Sequence, residues 1–316
     1  MRLSSAALAA AIHTVALAQD PPPKRGLVFV PNSASPEDDN IWVRPGSVLS
    51  WYYNYQSTPS AAFDNAPQDQ FEFVPMIWGA TDDTAFLDSV QDQLDSGRDI
   101  RHVLGFNEPD SPYGGGSGIA PSVAADVWLR NVHPLAARGV RLGLPACTGG
   151  PGGIPWLQQF LGNCSELLSR DGERRNCTYD FVTIHWYGNF EGLASHMGSY
   201  AAEFPNVPQW ITEYNFDHQD LAATQSFYNT SAEYLDRMDS VARYSLFGSF
   251  RSEVSNVGPN AAMLNNDGRL TDIGSWYLGL GATGVDPKSA APSARIGRTP
   301  LIGVAVLALI TCVAVL

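Results

Sequence analysis

Positive charge is scarce in this chain. Lys and Arg together number 19 in 316 residues against 32 Asp and Glu, giving a formal net charge of −13. With no cationic surplus to replace counterions on phosphates, nucleic acid is excluded as a partner. Charged residues of both signs make up only 16%. Charge runs are absent while Gly and aromatics are plentiful, so the composition is not that of a disordered tail. No apolar run is followed by a G-x-G-x-x-G or Walker-type loop, which removes the nucleotide-binding reading. The run Gly114-Gly115-Gly116-Ser117-Gly118 reads as a loop, not a phosphate cradle. The G-x-S-x-G elbow of a serine hydrolase is missing. His102, His133, His196 and His218 show no H-E-x-x-H or other ligand spacing, so neither a metal nor another cofactor is expected.

What the chain does have is apolar and aromatic residues, 44% and 11% respectively, including eight Trp and 12 Tyr. That is ample for a large core, and the length suits one large domain or two small ones. Low charge with many Tyr and Asn fits a secreted protein that handles neutral, hydroxyl-rich ligands.

Both ends read as addresses. Residues 1–18 carry a single cation, Arg2, then an apolar stretch ending Ala16-Leu17-Ala18, the marks of a secretory signal peptide. A short Pro-rich linker follows over 19–25. At the other end, residues 301–316 are apolar but short for a membrane span of about 20 residues. Upstream lie the small residues Ser289-Ala290-Ala291 and a spacer from Pro292 to Pro300. Small site, spacer and terminal apolar tail match a glycosylphosphatidylinositol signal, with Ser289 as the attachment residue in a 285–300 linker, in preference to the alternative of a true tail anchor. The expected location is the outer cell surface or wall, with the membrane reached only through the lipid. Acceptor triplets at Asn163, Asn176 and Asn229 are consistent with that route. Of four cysteines, Cys312 lies in the tail. Cys164 and Cys177 flank a polar loop and can close a ring in an oxidising compartment. Cys147 ends an apolar run and reads as a buried thiol, although an odd number leaves other pairings open.

Between these ends, eight β-rich runs alternate with helical patterns: 26–30, 48–53, 71–78, 100–106, 140–145, 180–185, 209–212 and 241–247. Phe86, Leu87, Val90 and Leu94 recur at helical spacing, with Thr81 as a candidate cap. Val123, Val127, Trp128, Asn131 and Leu135 do the same, and further helices are expected from Pro155 and over 220–238. Eight near-continuous apolar strands in such a pattern predict a single α/β domain over 26–284, a (β/α)8 TIM barrel of parallel strands. The first connection, 31–47, shows no convincing helix. Asp38-Asp39 and Asp82-Asp83 read as solvated loop or cap acids.

In such a barrel reactive groups sit where strands end. The fourth run is followed by Asn107-Glu108-Pro109-Asp110, the sixth ends His185-Trp186-Tyr187, and the seventh leads into Glu213-Tyr214-Asn215. Trp51 and Trp78 stand on the second and third. Two carboxylates facing each other across a barrel mouth, with flat apolar rings around them, are what hydrolysis of a glycosidic bond needs. Each residue alone has a plainer explanation: Glu108 and Glu213 as surface acids, His185 as a core hydrogen-bonder, the aromatics as packing. The combination points to a sugar site with Glu108 and Glu213 as catalysts and Trp51, Trp78, His185, Trp186, Tyr187 and Tyr214 as binding residues.

Gly105-Phe106-Asn107-Glu108-Pro109-Asp110, His185-Trp186-Tyr187 and Trp210-Ile211-Thr212-Glu213-Tyr214 resemble the motifs of glycoside hydrolase family 128. So do Arg25-Gly26-Leu27, Leu142-Gly143-Leu144-Pro145-Ala146 and the closing Leu270-Thr271-Asp272-Ile273-Gly274 with Trp276-Tyr277. The resemblance implies a clan A barrel that cleaves β-1,3-glucan with retention, Glu108 as acid/base, Glu213 as nucleophile, and Asn107 holding the sugar 2-hydroxyl. Endo-acting hydrolysis by a monomer is the expectation. The alternatives are a catalytically idle surface protein that binds β-glucan, or a clan A hydrolase of another β-glycan.

Overall fold

The eight apolar runs become eight strands, and every pairing between them is parallel. They are β1 (Gly26–Val28), β2 (Trp51–Tyr53), β3 (Glu72–Phe73), β4 (His102–Val103), β5 (Arg141–Leu142), β6 (Val182–Tyr187), β7 (Gln209–Asn215) and β8 (Val241–Leu246). The computed structural model describes residues 24–289; the expected signal peptide and apolar tail lie outside them. Strands associate as β1-β2-β3, β4-β5 and β6-β7-β8. Single bridges continue the pairing at Met76↔Leu104, Gly143↔Phe181, Cys147↔Ile184 and Arg25↔Tyr244.

Six α-helices follow the later strands: α1 (Ala85–Asp95), α2 (Pro121–Asn131), α3 (Gly153–Leu168), α4 (Phe190–Glu203), α5 (Leu221–Arg237) and α6 (Asp272–Tyr277). A regular alternation of eight strands with eight helices is therefore not formed. The connections after β1 and β2 carry only 3-10 turns, at Pro36–Ile41 and Ala61–Phe63. The expected cap Thr81 is also corrected: α1 starts after Thr84, and the Asp83 carboxylate accepts the Ala85 N–H. The long second helix breaks into a 3-10 turn at His133–Arg138, where Pro134 withholds a backbone donor.

Side-chain alternation along the strands sorts the core into two layers. Leu27, Phe29 and Tyr52 pack with the helices, in one buried cluster with Trp128, Phe160 and Tyr277. Val28, Trp51, Tyr53, Val74, Leu104, Phe181 and Trp210 form a second cluster between the strands. At the amino ends of the strands, charge closes this inner layer. Glu72 accepts from His102 Nδ1 at 2.7 Å and from Arg243 at 2.5 Å. The Arg243 guanidinium lies 4.4 Å from the Trp210 ring centroid and 5.5 Å from that of Trp51.

Two further ties hold the periphery. Asp38 is buried, not solvated, because Arg251 grips both of its oxygens, at 2.6 and 2.9 Å. Cys164 and Cys177 form a disulfide between α3 and the loop before β6, while Cys147 is a buried free thiol. A ring of that sequence separation contributes about 3 kcal/mol in the chain-entropy model. The start of the expected carboxyl-terminal linker rests against the body: Asn265 donates to the Ser289 hydroxyl at 3.1 Å.

The Glu72 cluster makes stability pH-dependent. Burial penalises the imidazolium and keeps the His102 pKa below 6.5, so the neutral ring is the native form. Burial alone would raise the Glu72 pKa, but His102 and Arg243 outweigh it and hold it low. Both groups thus bind fewer protons folded than unfolded, and stability is lost as pH falls, first below 6.5 for His102. Thermal melts should show a loss between pH 7 and 5 that shrinks in His102→Gln. Glu72→Gln, which leaves Arg243 buried without its partner, should cost about 3–5 kcal/mol at neutral pH. Identical pH profiles for wild type and His102→Gln would refute this assignment.

Candidate active site

At the carboxyl ends of the strands, three side chains from β6, β7 and the segment after β4 converge. His185 Nδ1 lies 3.1 Å from Glu108 Oε1 and 3.6 Å from Glu213 Oε2. One ligand atom from each of the three lies within 4.8 Å of those of the other two. His185 and Glu213 are register partners on β6 and β7, immediately after an irregularity in the ladder at Ile184; such irregularities re-aim side chains. Glu108 is carried differently. Its φ of 41° puts a non-glycine residue in left-handed space, held by its N–H to the Ala146 carbonyl at 2.7 Å and by Ser111 N–H on its own carbonyl. Gly116 is required beneath it, because a Cβ there would meet Glu108 O at 2.8 Å.

Glu213 sits in a cradle of phenols. Tyr55 donates to Oε1 and Tyr187 to Oε2, each at 2.6 Å, and Tyr53 approaches Oε1 at 3.4 Å. Burial and the adjoining Glu213 charge push all three phenol pKa values well above 10, so they remain donors. Tyr55 is brought there by another left-handed residue conformation, φ 61°. Burial alone would lower the His185 pKa, but the Glu213 and Glu108 carboxylates outweigh it and raise it above 6.5. Asn107 donates from Nδ2 to the Gly115 carbonyl at 3.0 Å. Its buried Oδ1 has no partner among the described residues and is free to accept from a ligand hydroxyl.

Glu108, Glu213, Asn107, Tyr55 and Tyr187 line a cleft of about 530 Å³, walled also by Val30, Trp78, Phe247 and Val257 and by Gly114 and Gly115, while His185 lies beneath it, buried. The structure brings together Glu108, Glu213, Asn107, His185, Tyr187 and Trp78 of the residues singled out in the sequence. It withdraws three others. Trp51 is fully buried at the opposite end of the inner layer, under Trp210 and Arg243. Tyr214 is fully buried on the helix-facing side, against Phe227 and Tyr244. Trp186 also leaves the cleft: its ring packs on His196 and its indole N–H donates to Asn189 O. Tyr53 and Tyr55 are the functional residues that sequence reasoning missed. Strand parity could have found Tyr53, two positions after Trp51 on the same face of β2; Tyr55 lies beyond the strand and carries no such signal. Glu108, His185 and Glu213 are also a possible ligand set for a metal ion. No sequence spacing announces such a set, because its members come from β6, β7 and the segment after β4.

A fold of parallel strands and covering helices, with two carboxylates and an imidazole at the strand ends, defines a glycosidase-type framework. The chain belongs to the glycosyl hydrolase catalytic core family, whose sequence model matches residues 26–277. It is 30% identical over 264 residues to Alkali-sensitive linkage protein 1 of Schizosaccharomyces pombe (strain 972), covering 81% of this chain. It spans 44% of the length of that relative. Its fold is similar to that of a family 128 subgroup II endo-β-1,3-glucanase from Sorangium cellulosum, at 26% identity and a TM-score of 0.65, covering 82% of this chain and 99% of the other. A subgroup VI exo-β-1,3-glucanase from Aureobasidium namibiae shares the fold at 22% identity and a TM-score of 0.66, over 82% and 97% of the two chains.

The His185 environment is directly measurable. Imidazole resonances should titrate with a midpoint above 6.5, and the midpoint should fall in Glu213→Gln, which removes the carboxylate charge that most favours the imidazolium. A midpoint that does not move in that variant would refute the coupling.

Proposed function

We propose that the protein is a retaining glycoside hydrolase of β-1,3-glucan in which Glu213 attacks the anomeric carbon and Glu108 is the acid/base. The observation that carries this is the carboxylate separation. One oxygen of each lies within 4.8 Å of one on the other, an approach that supports the roughly 5–5.5 Å carboxyl spacing of retaining enzymes over the roughly 6.5–9.5 Å of inverting ones. Similarity to β-1,3-glucanases supplies the substrate class.

In the first step Glu213 bonds to the anomeric carbon as the glycosidic bond breaks, and Glu108 gives its proton to the departing oxygen. Tyr55 and Tyr187 fix Glu213 so that a lone pair faces the sugar. In the second step Glu108 takes a proton from water, which attacks the same carbon and frees Glu213. Asn107 accepts from the sugar 2-hydroxyl, and Trp78 stacks on a ring. His185 touches the carboxylates, not the sugar, and holds them in register.

The framework we infer is a single (β/α)8 barrel over 26–284, its first two connections reduced to 3-10 turns, acting as a monomer. Endo action is supported by a cleft wall of Gly114 and Gly115, which leaves room for a chain to pass. We extend the proposal to a surface location through signal peptide, glycans and lipid anchor. Asn176 and Asn229 are exposed and Asn163 half-buried, so all three acceptors are accessible to some degree. Phospholipase specific for inositol lipids should release the protein from membranes; a mature chain that retains residues 301–316 by mass spectrometry would refute the anchor.

For the chemistry, the first product from a β-1,3-glucan oligomer should be the β-anomer. Glu213→Ala should lose turnover by orders of magnitude and recover part of it with azide, yielding an α-glycosyl azide. Glu108→Ala with azide should give the β-azide. An α-anomer as the initial wild-type product, or full activity in Glu213→Gln, would sink the assignment.

A further inference from the structure

Trp78 has two neighbours to serve. One side of it walls the cleft, and it also borders a second groove of about 450 Å³, formed with Gly79, Ala80, Ser117, Ile119 and Val123. Ala80 and Val123 are shared in turn with a further depression of about 360 Å³, which ends at Asp126 and Arg130 on α2. The three concavities thus adjoin one another through shared lining residues, in order from the carboxylates past Trp78 to the first turn of α2. Trp78 is anchored beside the site, since its carbonyl accepts the Asn107 N–H at 2.9 Å. The loop 111–118 is the partition: Gly114 and Gly115 face the cleft, while Ser117 and Gly118 face the groove.

The chemistry of the groove narrows its occupant. Trp78 and Val123 are 43% and 48% exposed, and with Val30 in the cleft they are three of the exposed large apolar side chains among the described residues. The groove wall carries no ionisable group. Beneath the wall the Ser117 hydroxyl is buried without a hydrogen-bond partner among the described residues, so a small opening of the groove would give it to a ligand. At the far end Arg130 is already committed to Asp126 and to the carbonyls of Asp82 and Thr81. The surface therefore suits a neutral ligand with apolar faces and hydroxyl edges, not an anion or a charged peptide.

We propose that this groove is a glucan-binding extension of the cleft, occupied by the part of the same β-1,3-glucan chain that runs out past Trp78. This rests on the cleft being a β-1,3-glucan site. Its consequence is a preference for long chains over short ones, set by residues remote from the carboxylates.

The test is the double variant Ala120→Asp/Val123→Glu. Ala120 is the N-cap of α2 and makes no side-chain cap bond. Asp there supplies the missing cap, and Glu in the first turn suits the helix dipole, so the fold is preserved. The two changes put carboxylates along the apolar wall. The ratio of kcat/KM on long β-1,3-glucan to that on laminaritriose should fall roughly tenfold, the factor that about 1.4 kcal/mol of lost contact produces. An unchanged ratio overturns the proposal. If the wild type turns over neither substrate, the hydrolase reading fails by itself, and binding to insoluble β-1,3-glucan decides. Binding that the variant loses supports the groove; binding that the variant retains, or that the wild type lacks, overturns it.

Discussion

Two carboxylates with oxygens inside 4.8 Å would repel each other by about 3 kcal/mol at an effective dielectric constant near 20, were both ionised. The surrounding groups answer that repulsion. His185 stands between the two with Nδ1 directed at both, and takes up a proton more readily than a free imidazole for that reason. Tyr55 and Tyr187 give Glu213 a donor on each oxygen. Remove any one of these and the close approach of Glu108 and Glu213, on which the proposed double displacement rests, becomes costly.

Holding the pair also strains the backbone. Left-handed conformations at Tyr55 and Glu108 cost of order 1–3 kcal/mol each for residues with a Cβ. Neither is isolated. Tyr55 continues from β2, whose Trp51 and Tyr53 are locked in the inner core. Glu108 is clamped to the end of β5 through Ala146, and two residues on, Asp110 accepts both the N–H and the hydroxyl of Thr148. The aromatic layer and the Glu72–His102–Arg243 cluster beneath it thus support the site from a distance: they hold the strands from which the strained residues hang.

The strands and the carboxylate pair were legible in the sequence because both depend on local features, a run of apolar residues and an acid just after it. What misled was treating neighbours as companions. His185, Trp186 and Tyr187 are consecutive, yet strand alternation sends the middle one to the far side; Glu213 and Tyr214 part company for the same reason. Trp51 has the correct parity but sits too early in β2, at the level of Glu72. Helix α4 escaped notice because Gly192 and Gly198 weaken its pattern. Gly192 is there for a tertiary reason: a Cβ would fall 2.1 Å from the Trp186 ring. Asp38 looked solvated because its partner, Arg251, is 213 positions away.

Reacting groups and recognising groups occupy different parts of this architecture. Glu213, His185 and Tyr187 belong to strands, where the ladder of β6 and β7 fixes their register. The surfaces that meet the rest of a ligand come from connections, above all the loop 111–118 and the first turn of α2. Loops tolerate change far better than strands do, so chain-length preference can shift without disturbing the carboxylates. The loop is not wholly free, however. Ser117 donates its N–H to the Asn107 carbonyl, and Asn107 in turn donates its side-chain amide to Gly115. The loop that divides cleft from groove is therefore fastened to the residue adjoining the acid. Under the proposed function, whatever occupies the groove bears on Asn107 through two hydrogen bonds, and binding of a distant glucosyl unit is then mechanically joined to placement of the reacting one.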